Sequence, residues 1–232
     1  MPSPENLFLA SLSPEQRKVI LARAVEVDLP LRTPLYEAEE NLKHAYFMTS
    51  GLASVVLTMT EGGSAEVGII GREGIVGSVH LLGAAPIQTR CFIQLKGSAI
   101  KVAFSDLRAA FRSSEEIRDR MLEFVQEQTL VVSQIAGCNR LHGAEERLAR
   151  WLLMVQDLVE TETIGLTQEF LAEMLGAQRT TVTLVAGSLQ QSGFIEYRRG
   201  QVRIVDRENL EHVACDCYQV IKRLSNGLYK RS

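Results

Sequence analysis

The stretch Leu166-Thr167-Gln168-Glu169-Phe170-Leu171-Ala172-Glu173-Met174-Leu175-Gly176-Ala177-Gln178-Arg179-Thr180-Thr181-Val182-Thr183 decides the fold. Thr167 is a helix-capping residue, and Glu169 falls in the first turn, where the helix dipole favours an acid. Phe170, Leu171, Met174 and Leu175 make one apolar face, and Gly176 suits a C-terminal stop. After the turn Gly176-Ala177-Gln178, Val182, Val185, Ala186 and Leu189 recur at i, i+3, i+4 and i+7, a second helix with one buried stripe. Thr180, Thr183, Leu184, Gly187 and Gln191 fall on its other side, with Arg179 at its N-terminal edge. Two short helices joined by a glycine turn predict a helix-turn-helix whose second member fits a major groove.

Towards the C-terminus, Phe194 to Val205 alternates apolar and polar residues on both sides of Arg199-Gly200, which predicts a hairpin wing. Residues 174–203 hold four arginines (Arg179, Arg198, Arg199, Arg203) against Glu196, whereas residues 145–173 hold two arginines against seven acids. Positive charge is therefore confined to the reader and wing. Phosphate contacts supply affinity and base edges supply sequence information. Arg198 and Arg199 are accordingly assigned to phosphate, and Arg179 to a guanine or a phosphate. The expected DNA-contacting set is Thr167, Gln168, Gln178, Arg179, Thr180, Thr181, Thr183, Leu184, Arg198 and Arg199. A winged helix used as a protein contact is the competing reading.

Towards the N-terminus, Glu145 to Val159 reads as an amphipathic helix with Leu148, Leu152, Val155 and Val159 on one stripe. Acidic residues and Gly165 then mark a loop. Before it, a long helix from Ser113 carries Ile117, Met121, Phe124, Gln128, Val131, Ile135 and Cys138 at alternating spacings of four and three. Such a heptad seam predicts a parallel dimer, with Gln128 fixing register. Packing of one helix on its own chain stays open, because periods of 3.5 and 3.6 barely separate over this length. Between Val27 and Phe104 lie short apolar runs with glycine punctuation, which predict a β sandwich, roll or barrel. Ser13-Pro14-Glu15-Gln16 reads as a capping box opening a short helix.

The chain has 232 residues, 46% hydrophobic and 23% charged, with net charge -3. That suits roughly two compact units and excludes a disordered tail, a collagen and a disulfide mini-protein. Any DNA contact must be local, because the whole chain is not basic. The uncharged stretches from Gly74 to Thr89 and from Thr180 to Ile195 are too short and too interrupted for a membrane helix. Met1-Pro2-Ser3-Pro4-Glu5 lacks the cationic start and apolar core of a secretory signal. Four scattered cysteines favour a reducing cytoplasm.

The string from Leu166 to Thr183 resembles the L-T-x-x-x-[LI]-A-x-x-[LV]-G-x-x-R-x-T-V pattern of the Crp/Fnr family of bacterial transcription regulators. Glu146-Arg147-Leu148-Ala149-Arg150-Trp151-Leu152-Leu153 is similar to that family's post-hinge helix. The resemblance implies an α+β chain. Residues 1–112 would form a cyclic-nucleotide-binding-like β-roll of double-stranded jelly-roll type, 113–142 a dimerisation helix and hinge, and 143–232 a winged helix-turn-helix. It also implies a homodimer on an inverted-repeat operator, with double-stranded DNA and RNA polymerase as partners and no membrane. Better-known members follow the reading arginine with an acid and place a second arginine four residues beyond. Here those positions are Thr180 and Leu184, so the operator should differ, and Leu184 is a candidate for a thymine methyl.

Members that bind cyclic AMP share a Gly-Glu-Leu cassette followed by Arg-Ser. This chain has Gly77-Ser78-Val79 and then Thr89-Arg90-Cys91, without the ribose-binding acid and with a poor donor in place of serine. The resemblance thus places an effector pocket at Gly77, Ser78, Arg90 and Cys91, with Val132 and Ser133 capping it from the long helix, but argues against cyclic AMP. No cysteine precedes Cys91, which argues against an iron-sulfur cluster. Of the haem-ligand types His44, His80 and Cys91, the lone histidines read as hydrogen-bonded surface or core residues. Cys138 and His142 at i, i+4, and Cys215 and Cys217 beside His212, read as incomplete metal-ligand sets; either could hold zinc with a partner chain, but without a complete set no metal is expected. A cupin-like metal-binding enzyme fused to a protein-interaction winged helix is the alternative. It lacks a His-x-His pair, and no nucleophile elbow or P-loop supports an enzyme of another kind.

Overall fold

A computed structural model describes residues 5–61, 63–159, 161 and 163–230. Residues 1–4 and the Glu169 side chain, on which two sequence expectations rest, lie outside the described residues. The chain divides into two compact units. The first comprises Met1–Val56, Gly68–Thr129 and Gly227–Ser232, and the second Leu57–Val67 and Leu130–Asn226.

The first unit carries the roll apart from residues 57–67, which fall in the second unit. Strands β1 (Val25–Leu29), β2 (Pro34–Tyr36), β3 (His44–Thr58), β4 (Ser64–Ile70), β5 (Ile75–Val76) and β6 (Thr89–Ala103) form one sheet ordered β1-β6-β3-β4, with β2 on β6 and β5 on β3. The first strand pairs antiparallel with the last, from Val25 opposite Lys101 to Leu29 opposite Gly97, so the sheet's path is not sequential. Helix α1 (Leu7–Ser11) is capped by the buried Asn6, whose Oδ1 accepts from Leu9 N and whose Nδ2 donates to the carbonyls of Met48, Arg72 and Gly74. Helix α2 (Pro14–Leu21) starts at Ser13, as read from the sequence, and Ser13 Oγ accepts from Gln16 N. The capping box closes differently, however. Glu116, 103 residues away, takes both the Ser13 N–H at 2.6 Å and its hydroxyl at 2.8 Å.

Helix α3 (Phe104–Ser113) fills the interval between the strand texture and the long helix α4 (Glu115–Leu141). The expected dimer seam is corrected here. Ile117, Met121 and Phe124 are fully buried within the core of their own unit, together with Phe8, Phe47 and Ile75. Their periodicity reflects packing on the roll, the alternative that the sequence left open. Gly74 makes this approach possible, because a Cβ there would lie 2.6 Å from Phe124 Cζ. Further along, Val131 is buried and Gln128 and Ile135 are half-buried, while Gln128 donates to Glu127 Oε2. The exposed apolar stripe of α4 is the neighbouring one, Leu122, Thr129, Val132 and Ala136, with half-buried Val125.

The second unit packs α5 (Ala144–Val159) on α6 (Gln168–Leu175), α7 (Arg179–Gln191) and α8 (Arg207–Val213), followed by α9 (Cys217–Gly227). Helix α4 ends at Leu141 and α5 begins at Ala144, with His142-Gly143 between them. Helix α5 is buried continuously from Leu148 to Val155, rather than along one stripe. Strands β7 (Thr163–Gly165), β8 (Ile195–Arg198) and β9 (Gln201–Ile204) form an antiparallel sheet ordered β7-β9-β8. The segment before Leu166, read as a loop, thus contributes a strand, whose Ile164 is fully buried.

Candidate nucleic-acid interface

Thr167 Oγ1 accepts from Phe170 N at 3.2 Å and caps α6. Gly176 ends it in the left-handed region at φ 56, and its N–H and that of Ala177 return to the carbonyls of Glu173 and Ala172. Such a termination suits glycine because a Cβ is penalised there. The Leu175 carbonyl is also taken by the Arg147 guanidinium of α5. Burial lowers the Arg147 pKa from its ordinary value.

Helix α7 buries Val182, Ala186 and Leu189 and half-buries Val185. Gln178, Arg179, Thr180 and Thr183 are exposed, and Leu184 is 74% exposed, while Thr181 and Gln168 are half-buried. Thr183 Oγ1 donates to the Arg179 carbonyl at 2.9 Å and lies 3.3 Å from Gln168 Oε1, which links the two helices on their outer side. Ser188 Oγ donates to Glu145 Oε1 at 2.9 Å and holds α7 on α5.

The wing turns at Arg199 and Gly200, with φ 52 and 73, the pair of positive angles that a two-residue hairpin loop favours. Its position is fixed at two points. The Tyr197 N–H donates to Gln190 Oε1 at 2.8 Å, and the Tyr197 hydroxyl donates to the Leu166 carbonyl at 3.2 Å. Burial pushes the Tyr197 hydroxyl pKa up. Arg203, counted in the sequence surplus, is paired with Glu196 at 3.0 Å. Arg179, Arg198 and Arg199 are exposed as well.

The expected effector positions are placed as follows. Ser78 and Cys91 are buried, with Cys91 in the roll core. Gly77 caps a short 3-10 turn, Ser78–Leu81, and Arg90 lies over the Phe92 ring at 5.2 Å. Val132 and Ser133 are exposed and belong to the second unit. A cavity of about 560 Å³ in the first unit is lined instead by residues that include Glu39, Lys43, His80, Pro86, Phe104 and Arg108. His80 packs edge-on against Tyr36 and Phe104, and burial lowers its pKa. Its ring nitrogens have no hydrogen-bond partner among the described residues, unlike the hydrogen-bonded histidine read from the sequence.

Two groups of side chains far apart in the sequence meet in the fold. Cys138, His142, Cys215 and Cys217, taken as two incomplete ligand sets, converge within the second unit. His212 stays apart, with its Nδ1 on the Glu208 carbonyl. No local signal could reveal this, because the two pairs lie more than seventy residues apart in the chain.

Residues 146–213 match the family model described as the Crp-like helix-turn-helix domain. No curated protein matches the chain in sequence. Among solved structures, a protein described as a transcriptional regulator of the Crp/Fnr family from Eubacterium rectale is similar at 16% identity. It covers 88% of this chain and 95% of its own, with a TM-score of 0.71. FixK2 from Bradyrhizobium japonicum is similar at 16% identity over 83% of this chain and 98% of its own, TM-score 0.70. A Crp-family transcriptional regulator from Thermus thermophilus is similar at 18% identity over 81% of this chain and 96% of its own, TM-score 0.67. At these identities the likeness is one of fold, and it spans most of the chain.

Proposed function

We propose that this chain, whose residues 146–213 are a Crp-like helix-turn-helix domain within the fold of the Crp/Fnr regulators, is a sequence-specific DNA-binding regulator of transcription. The observation that carries this reading is the outer face of α7. Arg179, Thr180, Thr183 and Leu184 are exposed there, while the opposite stripe is buried. The wing adds Arg198 and Arg199, two exposed cations suited to phosphate. Small polar residues at the helix N-terminus with one arginine suit base edges in a major groove.

The regulator acts as a homodimer. The stripe of α4 formed by exposed Leu122, Thr129, Val132 and Ala136 with half-buried Val125 alternates by three and four and supports helix pairing one residue away from the buried seam. A two-fold pair would set its reading helices roughly 34 Å apart on an inverted repeat. An effector on the roll would bias the break between Leu141 and Ala144 by binding two states unequally, although a constitutive regulator needs none. Val132 and Ser133 then lie at the dimer interface. The setting is the cytoplasm, RNA polymerase is the further partner, and no catalytic residue is assigned.

The test is selection of bound duplexes from a random pool by the full chain at low salt. A two-fold symmetric motif with half-sites about one helical turn apart is the expected result. Recovery of no enriched sequence would remove the reading.

A further inference from the structure

We propose that Cys138, His142, Cys215 and Cys217 form a closed structural zinc site in the second unit. One ligand atom from each lies within 4.8 Å of all the others. Cys138 and His142 sit one helical turn apart at the end of α4, where the His142 N–H bonds the Cys138 carbonyl at 3.0 Å. Cys215 precedes α9 and Cys217 begins it, on either side of Asp216. The two pairs meet with Cys138 Sγ 3.4 Å from Cys215 Sγ, and Cys217 Sγ 3.6 Å from His142 Nδ1. A zinc tetrahedron with metal–sulfur bonds of about 2.3 Å and metal–nitrogen bonds of about 2.0 Å has edges of roughly 3.5–3.8 Å. The shorter separations already approach those edges, and zinc would draw in the longest by about 1 Å.

The surroundings fit a metal as well as the four ligands do. His142 Nε2 lies 3.5 Å from Asp216 Oδ1, so a carboxylate holds the outer ring nitrogen and leaves the Nδ1 lone pair facing the cysteines. Gln134 Nε2 donates to Cys217 Sγ at 3.1 Å, a bond that a thiolate accepts better than a thiol. Arg150 supplies an independent argument. It is only 3% exposed, its Nη1 donates to the Met154 thioether, and its Nε has no hydrogen-bond partner among the described residues. Cys138 and Cys215 lie within electrostatic reach of it. A buried guanidinium requires a compensating anion. Zinc bound by three thiolates and a neutral imidazole carries one net negative charge and supplies it.

Three sulfurs and one imidazole select a soft or borderline metal over magnesium or calcium. A complete protein ligand set leaves no open position, which makes the site structural rather than catalytic. On binding, the thiol protons leave to solvent and the sulfur lone pairs bind the metal. The site would tie the last turn of α4, just before the helix interruption at Gly143, to the junction of α8 and α9.

The test uses the full chain purified under reducing conditions without a metal-affinity tag. Elemental analysis should find one zinc per chain. Replacement by cobalt should give the d–d bands of a tetrahedral ion with thiolate-to-cobalt charge transfer, a readout that needs no variant. C215S and C217S should each lower retained zinc towards zero, while C91S, which alters a roll-core cysteine outside the cluster, should keep one. Absence of zinc together with a cobalt spectrum lacking thiolate bands would overturn the proposal. So would a metal-free chain whose intact mass is lower by a pair of hydrogens, with Cys138 joined to Cys215 as a disulfide.

Discussion

The indole Nε1 of Trp151 donates a hydrogen bond to Glu66 Oε1 at 2.7 Å, across 85 positions of sequence. Both residues belong to the second unit, so the tip of the β3–β4 hairpin is attached to α5. Trp151 is only 3% exposed. E66L should therefore leave a buried donor unsatisfied and cost about 1–3 kcal/mol. E66Q keeps an acceptor and should cost less. Denaturant midpoints of the two variants check this, and equal losses would show that the bond contributes nothing specific.

The parts of this chain legible in its sequence are those built from local chemistry. The cap at Thr167, the stop at Gly176 and the stripe Val182, Ala186, Leu189 act within one or two helical turns, so residue order alone specifies the helix-turn-helix. The Arg199-Gly200 turn specifies the wing in the same way. What escaped were pairings made by the fold. Ile164 lies in an acidic stretch and becomes a strand residue only because it faces Val202 of β9. Periodicity placed Ile117, Met121 and Phe124 on one face of α4 but could not say what that face touches. Asn6 looks like an ordinary polar residue until the three carbonyls around its amide are seen.

Removing the wing cations should change binding to all duplexes alike. Each phosphate contact contributes about 0.9 to the slope of log affinity against log salt. R198A/R199A should flatten that slope by about 2 and weaken specific and non-specific binding in proportion. Titrations at several salt concentrations measure it, and an unaltered slope would take the wing off the phosphates.

Leu184 is 74% exposed on a face otherwise composed of polar and small residues. Burying it against a thymine methyl would repay that exposure with apolar contact. L184A should weaken binding by roughly 1 kcal/mol at one base pair of each half-site and leave other positions as they were. Binding to a panel of single-base operator variants reads this out. A uniform effect across the panel would assign Leu184 a role other than base contact.

The exposed stripe of α4 gives a prediction about assembly. Leu122 and Val132 are exposed, whereas Met121 and Phe124 are buried in the roll core. L122K/V132K should convert the proposed dimer to a monomer with little loss of folded stability, since surface changes away from the core usually lie within about 0.5 kcal/mol. M121K should unfold the roll instead. Sedimentation together with circular dichroism separates the two, and a double variant that remained dimeric would move the interface elsewhere.

Glu73 makes the roll sensitive to pH. Its carboxyl is buried, Oε1 accepts from the Gly71 N–H at 2.9 Å, and Tyr229 donates to its backbone carbonyl. Burial pushes its pKa up to about 7, against the Gly71 hydrogen bond, with nearby Glu127 adding to the rise. The folded state thus keeps this proton where the unfolded state has lost it. Stability from this group is complete below the unfolded carboxylate value and falls as pH rises through about 7, by a total of about 3 kcal/mol. His80 acts in the opposite sense, because burial lowers its pKa and stability is lost as pH falls below the unfolded histidine value. Comparing wild type with E73Q cancels the His80 contribution. The melting temperature of E73Q should exceed that of wild type at pH 8 and approach it at pH 5, and a difference that does not change with pH would mean that Glu73 is ionised in the folded roll throughout.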